Sequence, residues 1–179
     1  MLRTILALSC ALPLTVLAQG NGASSTARAR AALAPFQRLV GTWEGDARVT
    51  LVPGAPAQVV RQREEIALGA NGTTMTVRTV ATATEGPQKG AVIFQASATV
   101  WYDTQLNKLR MKARQAAGDS VEADIETRPD TLIWALPVQG GRIRFTIAHS
   151  ATDWHEVAHF IRDGAPPIQA MEMRLKKTK

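Results

Sequence analysis

Along most of the chain, hydrophobic and polar residues alternate with a period of two, as they do in strands that bury one face. Ten such segments follow one another, separated by short stretches of Gly, Pro, Asn and Asp that are typical of turns. They cover residues 42–52, 57–68, 73–84, 91–102, 108–115, 120–128, 131–136, 142–149, 154–162 and 168–176. We therefore predict an all-β fold, a single antiparallel up-and-down barrel of about eight to ten strands with a short helical turn at 36–40 before the first strand.

The fifth and sixth segments predict a hairpin, because basic residues alternate with apolar ones in the first and acidic residues do so in the second. Opposite charges that face each other across two strands favour their pairing. A three-residue loop at 117–119 would pair Arg114 with Glu122, Lys112 with Asp124, and Arg110 with Glu126. The charged side chains would then lie on the outer face of the barrel.

The same alternation assigns the inward face of each strand, which is apolar and rich in Met. A barrel of this size either fills with its own side chains or holds one small ligand. The predicted ligand-binding residues are Trp43, Gln62, Glu64, Met75, Phe94, Met111, Phe145, Met171 and Met173.

Two of these residues are polar, although the alternation places Gln62 and Glu64 among the inward residues of the second segment. A buried polar group needs a partner. Glu64 therefore either reaches water at a strand end, pairs with an Arg, or anchors the polar head of a ligand.

The first 18 residues read as a cleavable secretory signal, with Arg3, an apolar run and a small residue, Ala18, at the cleavage site. Residues 19–34 are rich in Gly, Ala, Ser and Arg and predict a flexible leader, so the barrel domain would cover 35–179. We predict a periplasmic or secreted protein that does not stay inserted in the membrane. The only cysteine, Cys10, would leave with the signal, so packing and strand pairing would stabilise the domain without disulfides.

The net charge is +6, and removal of residues 1–18 would take away one Arg and no acid, leaving +5. Nucleic-acid binding calls for a clustered basic face interleaved with aromatic residues, and the sequence has no such cluster. We therefore predict no nucleic-acid partner.

The segment Leu39-Val40-Gly41-Thr42-Trp43-Glu44-Gly45 resembles the Gly-x-Trp opening of the calycin barrels, which include the lipocalins and the fatty-acid-binding proteins. Trp101-Tyr102-Asp103, Trp154-x-Glu156 and Glu172-Met173-x-Leu175-Lys176 extend the likeness to bacterial lipocalin-like families of unknown function. The resemblance implies a barrel from about Phe36 onward, in which Trp43 closes one end or contacts a ligand. It also implies that Arg174 either covers Trp43 in a cation–π contact or points outward.

The haem-binding barrels called nitrobindins open in a similar way and ligate iron through a His in the closing strand. This chain has Met171 and Met173 there and no His. We predict no cofactor.

His155-Glu156-Val157-Ala158-His159 matches the His-Glu-x-x-His signature of zinc metallohydrolases, in which a helix brings both His residues to one metal ion. In a strand, residues four apart lie about 13 Å from each other, too far to share a zinc ion with bonds of about 2.1 Å. We therefore predict no metal site and no catalytic residue, although His149, His155 and His159 remain able to meet near one barrel end.

Three functions stay open: an exported, non-enzymatic barrel that binds a small apolar or amphipathic ligand, a filled barrel that acts through its surface in the cell envelope, and a zinc hydrolase. We favour the first, in which the function of the barrel is to bury its ligand.

Overall fold

The structure is a computed structural model that describes residues 19–50 and 55–179, with side chains from residue 24 onward. The predicted signal at 1–18 and the predicted end of the first strand at 51–52 lie outside the described residues. Among the helices described, none is both long and apolar enough to cross a membrane.

Ten antiparallel strands close into one barrel, as the alternating pattern predicted. The strands are β1 Gly41–Val49, β2 Gln58–Leu68, β3 Thr74–Ala83, β4 Val92–Asp103, β5 Lys108–Gln115, β6 Ser120–Arg128, β7 Thr131–Val138, β8 Gly141–His149, β9 Asp153–Ile161 and β10 Ile168–Lys177. Each strand pairs with the next one in sequence, and β1 pairs with β10 to close the barrel. The all-β barrel prediction is therefore confirmed.

An α-helix, α1, covers Gln19–Leu33 and runs into a 3-10 helix at Ala34–Leu39. This helix lies where the sequence predicted a flexible leader at 19–34. Its second half is built from Ala and Arg, which favour helices, and Leu33 is only 1% exposed because it packs with the barrel core. The short helical turn predicted at 36–40 is present as the 3-10 helix.

The 3-10 helix covers the end of the barrel where β1 begins and β10 ends, which we call the closed end. Phe36 and Leu39 pack there against Trp43, whose indole Nε1 donates a hydrogen bond to the Leu39 carbonyl oxygen at 2.7 Å. The Trp154 ring lies against Trp43 with its centroid 5.9 Å away. The opposite end, where β1 ends and β10 begins, is the open end.

The hairpin of β5 and β6 forms with charges on its outer face, but its register differs from the prediction by two residues. Arg114 lies opposite Ser120, Lys112 opposite Glu122, and Arg110 opposite Asp124. Gly118 adopts a φ of 102°, which suits the last position of a three-residue loop at 116–118. Gln115 and Asp119 then close the loop through a backbone hydrogen bond of 2.9 Å. The prediction put Gly118 in the middle of the loop.

Candidate functional site: the barrel interior

A group of polar side chains lies inside the barrel, on the inward faces of β2, β3 and β9. We call Gln62, Glu64, Thr79 and Glu156 the inner polar cluster. Glu64 is only 5% exposed and accepts two hydrogen bonds, from Gln62 Nε2 at 2.8 Å and from Thr79 Oγ1 at 2.6 Å. Of the alternatives that the sequence left open, Glu64 does not lie at a strand end, and its partners among the described residues do not include an Arg.

Glu156 is the second carboxyl group of the cluster and is 6% exposed. Trp154 Nε1 donates a hydrogen bond to its Oε2 at 3.2 Å. Its neighbours across the sheet are Ile147 on β8 and Met173 on β10, both buried and apolar. Among the residues that the structure describes, none donates a hydrogen bond to Glu156 Oε1.

Burial changes the acidity of both groups, because an apolar environment disfavours a carboxylate. It raises the pKa of Glu64 to about 7, although the hydrogen bonds from Thr79 and Gln62 oppose the change. Burial raises the pKa of Glu156 to about 8, and the charge of Glu64 raises it further. At neutral pH the cluster therefore holds protons that exposed glutamates would have lost.

Several inward apolar side chains of the barrel are only partly buried. The Trp134 and Phe145 rings stack with their centroids 3.8 Å apart and an interplanar angle of 5°. Both lie near the middle of their strands, so a strand end does not explain their exposure. The partly exposed inward residues include Val77, Ala98, Trp134, Phe145, Phe160 and Met171. Part of the inward apolar surface is therefore accessible to solvent.

The nine predicted ligand-binding residues fall into two groups. Those that pack in the core or the inner polar cluster are Trp43, Gln62, Glu64, Met75, Met111 and Met173. Those that lie toward the open end are Phe94, which is 41% exposed, and the half-buried Phe145 and Met171. Trp43 is fully buried under the 3-10 helix, so it closes the barrel.

Sequence reasoning missed Glu156, Thr79, Trp134 and Phe160. Period-two alternation from the buried Trp154 places Glu156 and Phe160 on the inward face of β9, so the signal was present. The same segment also matches the His-Glu-x-x-His signature, which favours a metal-binding interpretation.

That interpretation does not fit the geometry. Glu156 faces inward, whereas His155 and His159 alternate with it on the outer face of β9. His155 Nε2 lies 3.0 Å from Glu172 Oε1 on β10, and the hydrogen bond between them lowers the pKa of Glu172. His149 lies at the closed end beside Phe36, so the three histidines do not meet. The described residues contain no group of three or more His, Cys, Asp or Glu side chains placed to hold a metal ion.

Of the two positions that the sequence left open for Arg174, the structure has the outward one, and the cation over Trp43 is Lys177. Lys177 Nζ lies 5.5 Å from the Trp43 ring centroid and donates a hydrogen bond to the Arg38 carbonyl oxygen at 2.9 Å. Arg174 points outward and pairs with Glu172 at 2.6 Å. Residue 174 alternates with the inward Met173 and Leu175, whereas Lys177 follows Leu175 on the same face as β10 ends.

No protein-family model and no curated protein matches the chain. Among solved structures, the barrel is similar to Rv2717c from M. tuberculosis, with a TM-score of 0.60 and 10% sequence identity. The match covers 83% of this chain and 98% of that one. At this identity the likeness shows the fold alone, a closed antiparallel β-barrel.

Proposed function

We propose that this protein is an exported barrel that binds one small, largely apolar molecule in its interior. The observation that carries the proposal is the partial exposure of the stacked Trp134 and Phe145 rings, which face inward at mid-strand. A ligand that covers such side chains removes apolar surface from water, and this burial favours binding.

Small inward residues on β4 and β5 support the same proposal. Ala98 on β4 lies between Val77 of β3 and Ala113 of β5, and all three are inward and half-buried. Larger residues would cover more of this inward surface. Thr79 of the inner polar cluster is the next inward residue after Val77 on β3, so the cluster lies beside this surface and supplies the few polar groups that orient a ligand.

Filling the interior tests this proposal. In Ala98→Phe, the new ring occupies the proposed binding space, and we expect the affinity for the neutral apolar probe N-phenyl-1-naphthylamine to fall by about tenfold or more. Fluorescence titration of the probe measures the change. Ala148→Phe is the matched control, because Ala148 is exposed on the outer face of β8. Equal affinity in the two variants contradicts interior binding.

Native mass spectrometry of the protein purified from its own host tests the same point without a probe. A bound small molecule that is lost in Ala98→Phe is the expected result. If no molecule is bound and the probe does not bind either, the barrel is a filled one that acts through its outer surface. The intact mass of the same sample tests export, for which we expect cleavage after Ala18.

A further inference from the structure

The interior of the barrel is acidic. Among the described residues, the buried polar side chains are Gln62, Glu64, His149 and Glu156, and no Arg or Lys is buried. A ligand whose head group is a carboxylate would meet two carboxyl groups and no cation. A cationic head group would find groups of opposite charge in a medium where charge pairing is strong.

The two carboxyl groups differ in the number of hydrogen bonds that their oxygens already accept. Both oxygens of Glu64 already accept hydrogen bonds, from Gln62 and Thr79. Glu156 is more than nine-tenths buried, and its Oε1 receives no hydrogen bond from the described residues. An ionised carboxylate in an apolar environment is costly without hydrogen bonds, so this oxygen needs a proton, a water molecule or a donor brought by a ligand.

Partly exposed apolar side chains begin one inward position away from the residue that faces Glu156 on β8. Along β8, Ile147 faces Glu156, and the next inward residue toward the open end is Phe145, which faces Ala158. A molecule whose head reaches Glu156 would therefore place an apolar body against Phe145 and Trp134.

We infer that the ligand is an amphipathic amine, whose ammonium group donates a hydrogen bond to Glu156 Oε1 with Glu64 beside it. This inference rests on the proposed function and specifies its ligand class. The amine enters already protonated, and the Glu156 carboxyl group gives its proton to water as the ion pair forms. One N–H···O bond forms, one O–H bond breaks, and one proton leaves the protein for each amine bound.

The surroundings of Glu156 limit the released proton to the two carboxyl groups of the inner polar cluster. Across the sheet it faces Ile147 and Met173, neither of which titrates. The other titratable side chains on inward faces are Glu64, His149 and Tyr102, and the last two lie toward the closed end. Lys177 lies outside the interior, over Trp43 at the end of β10.

Isothermal titration calorimetry of the full barrel with decylamine, 1-decanol and decanoate at pH 7 tests the inference. The three probes share one apolar chain and differ only in the head group. We expect decylamine to bind about tenfold or more tightly than 1-decanol, and decanoate to bind most weakly. Repeating the decylamine titration in buffers of different ionisation enthalpy should show the release of close to one proton per amine.

Glu156→Gln separates the head-group claim from the proposed function. It keeps the shape of the side chain but removes its charge, so decylamine should lose about tenfold in affinity and its proton release, while 1-decanol changes by less than about twofold. Glu65→Gln is the matched control, because Glu65 lies one residue from Glu64 and pairs with Arg63 outside the barrel.

Each outcome is decisive. If 1-decanol binds as tightly as decylamine, or if Glu156→Gln leaves the preference for the amine intact, the inference is wrong and the proposed function stands. If none of the three probes binds, both are wrong. Thermal unfolding of Glu156→Gln shows that any loss of binding does not come from loss of the fold.

Discussion

The two ends of this barrel are built differently from the same alternating pattern. At the closed end, Leu33, Leu39 and Trp43 are almost fully buried, and the 3-10 helix covers them. Toward the open end, Phe94 is 41% exposed, and the inward Phe145 and Phe160 stay half-buried. Apolar burial at the closed end stabilises the fold, whereas the open end leaves apolar surface uncovered that could have stabilised it further. One end therefore buries its apolar side chains, and the other leaves part of them exposed.

The largest effect that would test this difference is expected from truncating one large aromatic residue at each end. Trp43→Ala leaves a cavity in a fully packed site and removes the hydrogen bond to Leu39, so it should lower the free energy of unfolding by about 3–5 kcal/mol. Phe145→Ala removes a ring that water already reaches, and should cost less than about 2 kcal/mol. Urea unfolding followed by circular dichroism measures both. Similar losses would mean that the two ends are equally packed.

The next effect concerns the inner polar cluster between the two ends. The pKa values of about 7 for Glu64 and about 8 for Glu156 exceed the ordinary value of 4.5. Below pH 4.5 the folded and the unfolded chain both hold the protons of these two carboxyl groups, and the contribution of the two groups to the free energy of unfolding is then at its most favourable. Above it the unfolded chain loses them first, so stability falls until the pH passes the folded values. His149, whose pKa burial lowers, acts in the opposite direction below 6.5.

Glu156→Gln should therefore stabilise the protein at pH 9 by about 2–4 kcal/mol and flatten the fall in stability between pH 5 and pH 8. Thermal and urea unfolding at these pH values measure the change. Glu65→Gln serves again as the exposed control and should leave the slope as it is. A wild-type protein whose stability does not fall over this range would show that the carboxyl groups are not buried as described.

The smallest effect on stability is expected from the ion pairs on the outer face of the barrel. Lys112 Nζ lies 3.0 Å from Glu122 Oε1, and a double-mutant cycle on this pair should give a coupling of about 0.2–1 kcal/mol that weakens with salt. The cycle of Lys112 with Asp124, the pairing that the sequence predicted, should give a value near zero. A larger coupling for the second cycle would restore the predicted register.

The strands and their inward faces could be predicted from the sequence because burial of one face enforces a period of two. The register of one hairpin could not, since charges two residues apart satisfy the same pattern and only the backbone of Gly118 selects between them. Helix α1 could not be predicted in this way, because Leu33 packs against a surface that exists only in the folded barrel.

The inner polar cluster could be predicted in part. Alternation placed Gln62 and Glu64 inside, but Glu156 comes from a strand distant in sequence, and the effect of Glu64 on the pKa of Glu156 depends on closure of the barrel. Whether interior space remains open depends on the summed volume of side chains from all strands. No local pattern reports that sum.

The seam between β1 and β10 sets the order in which this molecule can fold. Every other pairing joins consecutive strands and can form as soon as its hairpin is available. At the seam, Trp43 must meet Lys177, close to the opposite end of the domain sequence. Closing so long a loop carries a large entropic cost, and contacts of such high sequence separation slow folding. We therefore expect the pairing of β1 with β10 to form last. Until it forms, the chain would be a curved open sheet with two unpaired edge strands.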